Sequence, residues 1–149
     1  MSRKSIYLDV CALSRPFDDQ GYLRIKQETD AVNMILAKVK QGKYRLLFSS
    51  VHIKEIEAYD NIMERVELQT ILKKLGEKMN VNLSETRARA EKLVNLGFGV
   101  ADAAHVAFAE GAGALFISCD NKLIKKCLKH NIKVWCSNPV AFCDKEDLR

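Results

Sequence analysis

The chain has 149 residues, of which 48% are hydrophobic and 29% are charged. This length suits one domain, and the apolar fraction excludes a mainly disordered chain, which would lack the side chains for a core. Lysine and arginine outnumber the acids by 24 to 19, a net charge of +5 that permits a polyanionic partner such as nucleic acid. We therefore expect one globular domain.

The sequence also excludes several locations and cofactor classes. It contains no run of about 20 apolar residues, as a membrane span needs, and the first residues lack the apolar region of an export signal. Its five cysteines form no C-x-x-C pair, the spacing that zinc ribbons and redox motifs require; they are Cys11, Cys119, Cys127, Cys136 and Cys143. We expect a cytoplasmic protein with reduced thiols and no membrane partner.

Short apolar strands alternate with amphipathic helices in the first half of the chain. Apolar residues at helical spacing, with Gly42 as the stop, indicate a long helix between the first two strands. In chain order the predicted elements are a strand at 6–8, a turn-rich loop at 11–21, a helix through 25–39, a strand at 44–48, a helix capped by Ser49-Ser50 and a helix beginning near Asp60.

The same alternation continues in the second half, although the tail after Pro139 carries no strong signal. The predicted elements are a loop at 80–82, a helix capped by Ser84 and ended by Gly97, a helix opened by Asp102, a strand at 114–117, a basic helix at 121–130 and a strand at 132–135. This order predicts an α/β fold, a three-layer α/β/α sandwich with a central, mostly parallel sheet of four or five strands.

Four acids occupy positions that matter in such a fold. Asp9 and Asp120 follow the first and third predicted strands, while Glu55 and Asp102 lie near helix starts. Functional crevices of parallel sheets lie beyond the carboxyl ends of the strands, so the four carboxylates can converge there. Because crowded carboxylates repel one another, a divalent cation that prefers oxygen ligands, Mg²⁺ or Mn²⁺, is the expected counter-charge. Such an ion activates water and polarises phosphoryl oxygens.

Structural roles compete with this interpretation for some of these residues. Asp102 suits a helix cap and Glu55 suits a solvated helix position. Asp9 and Asp120 are more informative, because an acid that closes an apolar strand has no routine structural duty. His105, one turn after Asp102, is either a packed or capping histidine or a residue that supports the acids.

A basic cluster follows Asp120 directly. It is either a solvated helix face or a rim that follows phosphates; its members are Lys122, Lys125, Lys126, Lys129, His130 and Lys133. The chain has neither a G-x-x-x-x-G-K-[ST] phosphate loop nor a G-x-G-x-x-G motif, so nucleotide cofactors are not indicated. Aromatic residues amount to only 7%, which disfavours a base-stacking platform.

Four segments resemble, in order, the signature segments of PIN domains. They are IYLD at 6–9, SSVHIKE at 49–55, GVADAAHVA at 99–107 and FISCD at 116–120. The resemblance covers residues 5–136. It implies that Asp9, Glu55, Asp102 and Asp120 are the catalytic and metal-binding quartet, with Ser118 as the accompanying hydroxyl residue.

The resemblance also implies an activity. PIN domains are metal-dependent nucleases, and many are VapC-type ribonuclease toxins of bacterial and archaeal toxin–antitoxin pairs. For this chain it implies a single PIN-like nuclease domain over residues 1–149, an endoribonuclease that uses Mg²⁺ or Mn²⁺ and metal-activated water, with an RNA substrate, a small antitoxin protein and a homodimeric partner. The alternative is an inactive PIN-like module that binds nucleic acid or protein. A phosphatase with a covalent aspartate is disfavoured, because Asp9-Val10-Cys11 lacks the second acid of an Asp-x-Asp pair.

The chain departs from the PIN pattern after its first acid. Many PIN domains carry Thr or Ser immediately after that acid, whereas Val10 and Cys11 follow Asp9 here. We expect either Ser14 to replace the hydroxyl or the metal site to be weaker. The loop at 15–19, RPFDD, is similar to a variant subset of the family.

Overall fold

A five-stranded parallel sheet forms the centre of the protein. The structure, a computed structural model, describes residues 3–149, and within them the strands are β1 Lys4–Leu8, β2 Tyr44–Phe48, β3 Gly76–Lys78, β4 Leu115–Ile117 and β5 Cys136–Ser137. The strand order is β3-β2-β1-β4-β5, and every neighbouring pair is parallel. The predicted parallel sheet, with up to five strands, is confirmed.

Helices cover both faces of this sheet. They are α1 Val10–Leu13, α2 Leu23–Lys40, α3 Ser50–Glu57, α4 Ile62–Leu75, α5 Leu83–Asn95, α6 Val100–Ala112, α7 Asn121–Lys129 and α8 Pro139–Lys145. Side chains of β1 alternate between the two faces, because successive residues of a strand point to opposite sides. Ile6 and Leu8 pack in the core layer that contains Val32 and Ile35 of α2, and Tyr7 packs in the layer that contains Val106 of α6. The chain is therefore the predicted three-layer sandwich.

The differences from the sequence prediction lie in short or polar elements. The loop predicted at 11–21 contains α1 and a 3₁₀ turn, Arg15–Phe17. Neither β3, which is three residues long, nor α8 in the tail was predicted. The last strand lies at 136–137 rather than 132–135. Helix α5 is capped by Asn82, whose Oδ1 accepts a hydrogen bond from the Glu85 amide at 3.0 Å, and not by Ser84.

None of the helices in the part of the chain that the structure describes has both the length and the apolar character needed to cross a membrane.

Glu146, just after α8, connects this helix to the sheet. Its carboxylate accepts hydrogen bonds from Lys4 Nζ and Tyr44 Oη, both at 2.8 Å. Burial alone would raise the pKa of Glu146, but bonds from Lys4, Lys145 and Tyr44 outweigh burial and lower it to about 2. Glu146 is therefore ionised in the folded protein at acidic pH values at which it is protonated in the unfolded chain.

We expect Glu146→Gln to lower the free energy of unfolding by about 2 kcal/mol at pH 7. A depressed folded-state pKa stabilises the protein above the unfolded-state value and loses this contribution as the pH falls towards the folded-state value. The difference between the parent and the variant should therefore shrink as the pH falls below about 4.5 towards 2. Urea unfolding at a series of pH values measures it, and a difference independent of pH would contradict this role.

Candidate active site

Two of the four acids follow neighbouring strands at the same edge of the sheet. Asp9 follows β1 and Asp120 lies three residues after β4, and these strands pair in parallel, with Leu8 opposite Ile117. The Asp9 amide donates to the Ile117 carbonyl at 3.2 Å, which continues the pairing beyond β1. Glu55 lies on α3, which follows β2, and Asp102 lies in the first turn of α6.

Asp102 lies close enough to the other three acids for their charges to affect its ionisation. Burial is the main cause that raises the pKa of Asp102, and repulsion from Asp120, Asp9 and Glu55 adds to it. The pKa of Asp9 is raised by burial, although His105 and hydrogen bonds oppose the effect. The structure therefore brings the four predicted acids together at the carboxyl edge. Their catalytic role stays a prediction.

The donor chemistry of this cluster fits a hard divalent cation. Its potential ligands are carboxylate oxygens. Burial raises the pKa of both Asp9 and Asp102, and at Asp102 repulsion from the other acids adds to burial, so a cation would offset negative charge there. In the present side-chain arrangement, however, no group of three or more Asp, Glu, His or Cys residues among 3–149 is positioned to hold an ion. Metal binding here would therefore require small side-chain adjustments.

The helix-capping roles of these acids are the reverse of the sequence expectation. Asp9 caps α1 and Asp120 caps α7, whereas α6 begins at Val100 with Gly99 as its N-cap, so Asp102 caps nothing. Asp9 Oδ1 accepts from the Ala12 amide at 3.1 Å, and Asp120 Oδ1 accepts from the Lys122 amide at 3.0 Å. Both caps use Oδ1 of the carboxylate.

Cys11 occupies the place where we expected a hydroxyl residue to support the first acid. Its Sγ donates to Asp9 Oδ1 at 3.1 Å and lies 3.5 Å from Ser118 Oγ, which accepts the Asp120 amide at 3.0 Å. Although part of Cys11 is exposed, burial of its thiol, followed by repulsion from Asp9, raises its pKa and keeps the donor proton in place. Ser14 lies beside the Tyr59 hydroxyl, so Cys11, and not Ser14, is the residue that contacts Asp9 in this structure.

A buried chain of hydrogen bonds leads to Glu55. Tyr7 Oη lies 2.8 Å from Ser49 Oγ and 2.6 Å from His105 Nδ1, and His105 Nε2 is hydrogen-bonded to Glu55 Oε1. A carboxylate only accepts, so His105 Nε2–H donates to Glu55. In the tautomer that carries its proton on Nε2, Nδ1 accepts the Tyr7 proton. Ser49 Oγ accepts the Val51 amide, so its own proton points to Tyr7. His105 is therefore both packed in the core and bonded to a predicted site residue.

His52 holds the beginning of α3 in place, a role that was not predicted from the sequence. Its Nδ1 accepts the Ser49 amide at 3.1 Å in a capping box, and its Nε2 donates to the Leu8 carbonyl at 2.6 Å. Burial, followed by repulsion from His105, lowers the pKa of His52 to about 3, so the ring stays neutral. The S-x-x-H spacing at 49–52 was the signal available for this role. His52 fixes the start of α3, and with it Glu55, onto the end of β1.

The basic residues of α7 point away from the core. Leu123, Ile124 and Cys127 are buried, whereas Lys122, Lys125, Lys126 and Lys129 are exposed. Lys126 Nζ donates to the Gly97 carbonyl at 2.8 Å, and these four lysines form no ion pair within residues 3–149. Both a solvated face and a phosphate-binding rim remain compatible with this arrangement.

The strand order and the two helical layers are those of a PIN-like fold, and comparison with solved structures supports this assignment. No family model matches the chain, and neither does any curated protein.

Three solved structures, each with a TM-score of 0.55, illustrate the similarity. FitAcB from Neisseria gonorrhoeae is 17% identical, and the match covers 90% of this chain and 97% of that chain. PAE2754 from Pyrobaculum aerophilum is 15% identical, with 96% and 88% covered. FitAB bound to the IR36 DNA fragment is 16% identical, with 91% and 95% covered. At these identities the comparison shows the fold, and the predicted resemblance to PIN domains is confirmed at that level.

Proposed function

We propose that this protein is a metal-dependent endoribonuclease. The observation that carries the proposal is the position of Asp102 within electrostatic range of Asp9, Glu55 and Asp120, near the carboxyl ends of β1 and β4, in a protein with a PIN-like fold and a net charge of +5. The acids would hold the cation and the basic surface would attract the phosphates of the substrate.

The proposed roles follow from the position of each side chain. Asp9, Asp102 and Asp120 would hold Mg²⁺ or Mn²⁺, which supplies an activated water and polarises the phosphoryl oxygen when it is bound. Glu55 would either join them as a ligand or orient the attacking water. Its carboxylate is held by His105, and Cys11 holds Asp9 in the same way. Such supporting bonds orient ligands and tune their basicity.

The structural neighbours also support a proposal about context. FitAcB and FitAB are similar in fold to this chain, and FitB is a PIN-domain toxin of the VapC type. We propose that this chain is the toxin of a toxin–antitoxin pair, with a small antitoxin protein as its partner, and that it acts in the cytoplasm as a homodimer. Co-expression with a small protein encoded beside it, followed by co-purification and sizing, tests the partner and the dimer.

Cleavage of a fluorescent single-stranded RNA, with and without Mn²⁺, tests the activity. We expect cleavage with Mn²⁺, none in EDTA, and a loss of at least about 100-fold in Asp102→Asn, because this variant removes a proposed ligand without removing a helix cap. Asp60→Asn, at an exposed acid outside the site, is the matched control and should cleave like the parent. A single-stranded DNA of the same sequence shows whether the sugar matters.

The alternative function is an inactive PIN-like module that binds nucleic acid or protein. The observation that favours it is that, within residues 3–149, no three side chains of Asp, Glu, His or Cys are positioned together to hold a metal ion. Such a module would bind RNA equally well with and without Mn²⁺ and would cleave nothing. Cleavage that survives in Asp102→Asn would point to a contaminating nuclease and contradict the main proposal.

A further inference from the structure

A polar groove opens beside Asp120, outside the acid cluster. It has a volume of about 490 Å³ and lies between α2 and the beginnings of α7 and α8. Its lining combines polar, acidic and apolar side chains: Arg24, Gln27, Asn121, Asn138, Glu28, Asp144, Val140 and Ala141. Asn121 directly follows Asp120, so this groove (the Arg24 groove) adjoins the proposed metal site. Its size is within the usual range of small-ligand sites.

Arg24 is held rigidly although half of its side chain is exposed. Its Nη2 donates to the carbonyl of Cys119, the residue before Asp120, at 2.8 Å, and its Nε lies 3.4 Å from Glu28 Oε1. The Arg24 side chain is 52% exposed, whereas that of Glu28 is 3% exposed. A guanidinium fixed by two acceptors on one side still presents N–H donors to solvent on the other.

The negative charge of the buried Glu28 is already balanced by Arg15, without Arg24. Arg15 already donates to Glu28 Oε1 through Nε at 3.0 Å and Nη2 at 2.8 Å, and Arg15 is only 17% exposed. Arg15 also bonds the more exposed Asp18 through Nη1 at 2.9 Å. Arg15 and Glu28 thus form a complete pair within the fold. Arg24 adds a second cation at the groove, positioned by that pair.

Arginine suits one class of ligand at such a place. Its planar fork matches the oxygens of a phosphate, and charge-assisted bonds of this kind are about twice as strong as neutral ones. The neighbouring amides of Gln27 and Asn121 can donate to and accept from a base or sugar. We propose that the Arg24 groove binds the backbone of the RNA strand next to the cleaved position, with Arg24 donating to a phosphate oxygen. The proposal rests on the proposed ribonuclease function.

Binding of a fluorescent single-stranded RNA to the full chain in EDTA, at a series of salt concentrations, tests the groove without cleavage. We expect Arg24→Gln to raise the Kd about tenfold and to reduce the salt slope by about 0.7, the value of one phosphate contact on a single strand. Arg24→Lys should keep the slope but recover only part of the affinity, because it keeps the charge and loses the fork.

Lys26→Gln is the matched control. Lys26 lies on the same helix, is 54% exposed and pairs only with the exposed Asp30, so the variant removes the same charge away from the groove. An RNA affinity and salt slope that are the same in Arg24→Gln and Lys26→Gln would overturn the proposal. The same holds if Arg24→Gln loses cleavage but binds RNA like the control, because Arg24 would then only support Asp120.

A parent chain that neither binds RNA in EDTA nor cleaves it with Mn²⁺ would overturn the ribonuclease function and this proposal together. A parent that cleaves RNA with Mn²⁺ but does not bind it in EDTA would overturn the groove alone. A parent that binds and cleaves RNA, with no specific effect of Arg24, would overturn the groove alone. Thermal melts of each variant identify any that do not fold. If Arg24→Gln is among them, Arg24→Lys decides: unchanged affinity in that variant shows that the guanidinium fork makes no contact with RNA and overturns the proposal.

Discussion

Asp9→Asn is expected to reduce RNA cleavage by at least about 100-fold while leaving the metal-free protein as stable as the parent or more stable. Asparagine is as good a helix cap as aspartate, so the bond to the Ala12 amide can persist. The variant also removes one of the charges that raise the pKa of Asp102. Repulsion inside the site therefore decreases when Asp9 is neutral.

Thermal melts with and without Mn²⁺ complete this prediction. The parent should melt at a higher temperature with Mn²⁺, since an ion that binds only the folded state stabilises it, and the variant should respond much less. If Asp9 instead serves only to cap α1 and to bind Cys11, neither protein will respond to Mn²⁺. A strongly destabilised variant beside a parent indifferent to the ion would contradict the proposed site.

His105→Leu is expected to reduce the kcat of RNA cleavage by about 10- to 100-fold and to destabilise the fold by about 1–3 kcal/mol. The change removes the donor to Glu55 and leaves the buried Tyr7 hydroxyl with Ser49 alone. His105 acts through Glu55 and not on the substrate, so the KM for RNA should change little.

Two further variants distinguish a role of His105 in positioning Glu55 from a role in core packing alone. His105→Gln offers an amide nitrogen to Glu55, and we expect it to retain more activity than His105→Leu. Tyr7→Phe keeps the bond between His105 and Glu55 while removing the one behind it, so its effect should be smaller than that of His105→Leu. Equal losses in all three variants, in proportion to their stability, would indicate a purely structural network.

The sequence was most informative where periodicity and strand-ending acids coincide. Helix α2 and strand β2 were predicted closely, because long amphipathic spacing and a short apolar run between polar residues are strong signals. The edge strands β3 and β5 were missed or misplaced, since two or three residues that pair on one side carry no alternation of their own. Backbone pairing, and not side-chain pattern, defines them.

In the candidate site, too, some features could be predicted from the sequence and others could not. The positions of Asp9 and Asp120 after strands were readable, but the distinction between capping and non-capping acids was not, because it depends on where each helix begins. The start of α6 at Val100 leaves Asp102 inside the helix. Tyr7 is separated along the chain from Ser49 by 42 residues and from His105 by 98 residues, so no local pattern could show their contact.

The central position of β1 has a consequence for synthesis of the chain. β1 is the first of the five strands along the chain. Its neighbour β4, which leads to Asp120, begins only at Leu115. Any nascent or truncated chain that stops before β4 lacks Asp120 and the strand that holds Asp9 in register. The acid cluster can therefore be complete only after Asp120 has been synthesised, 111 residues later than Asp9.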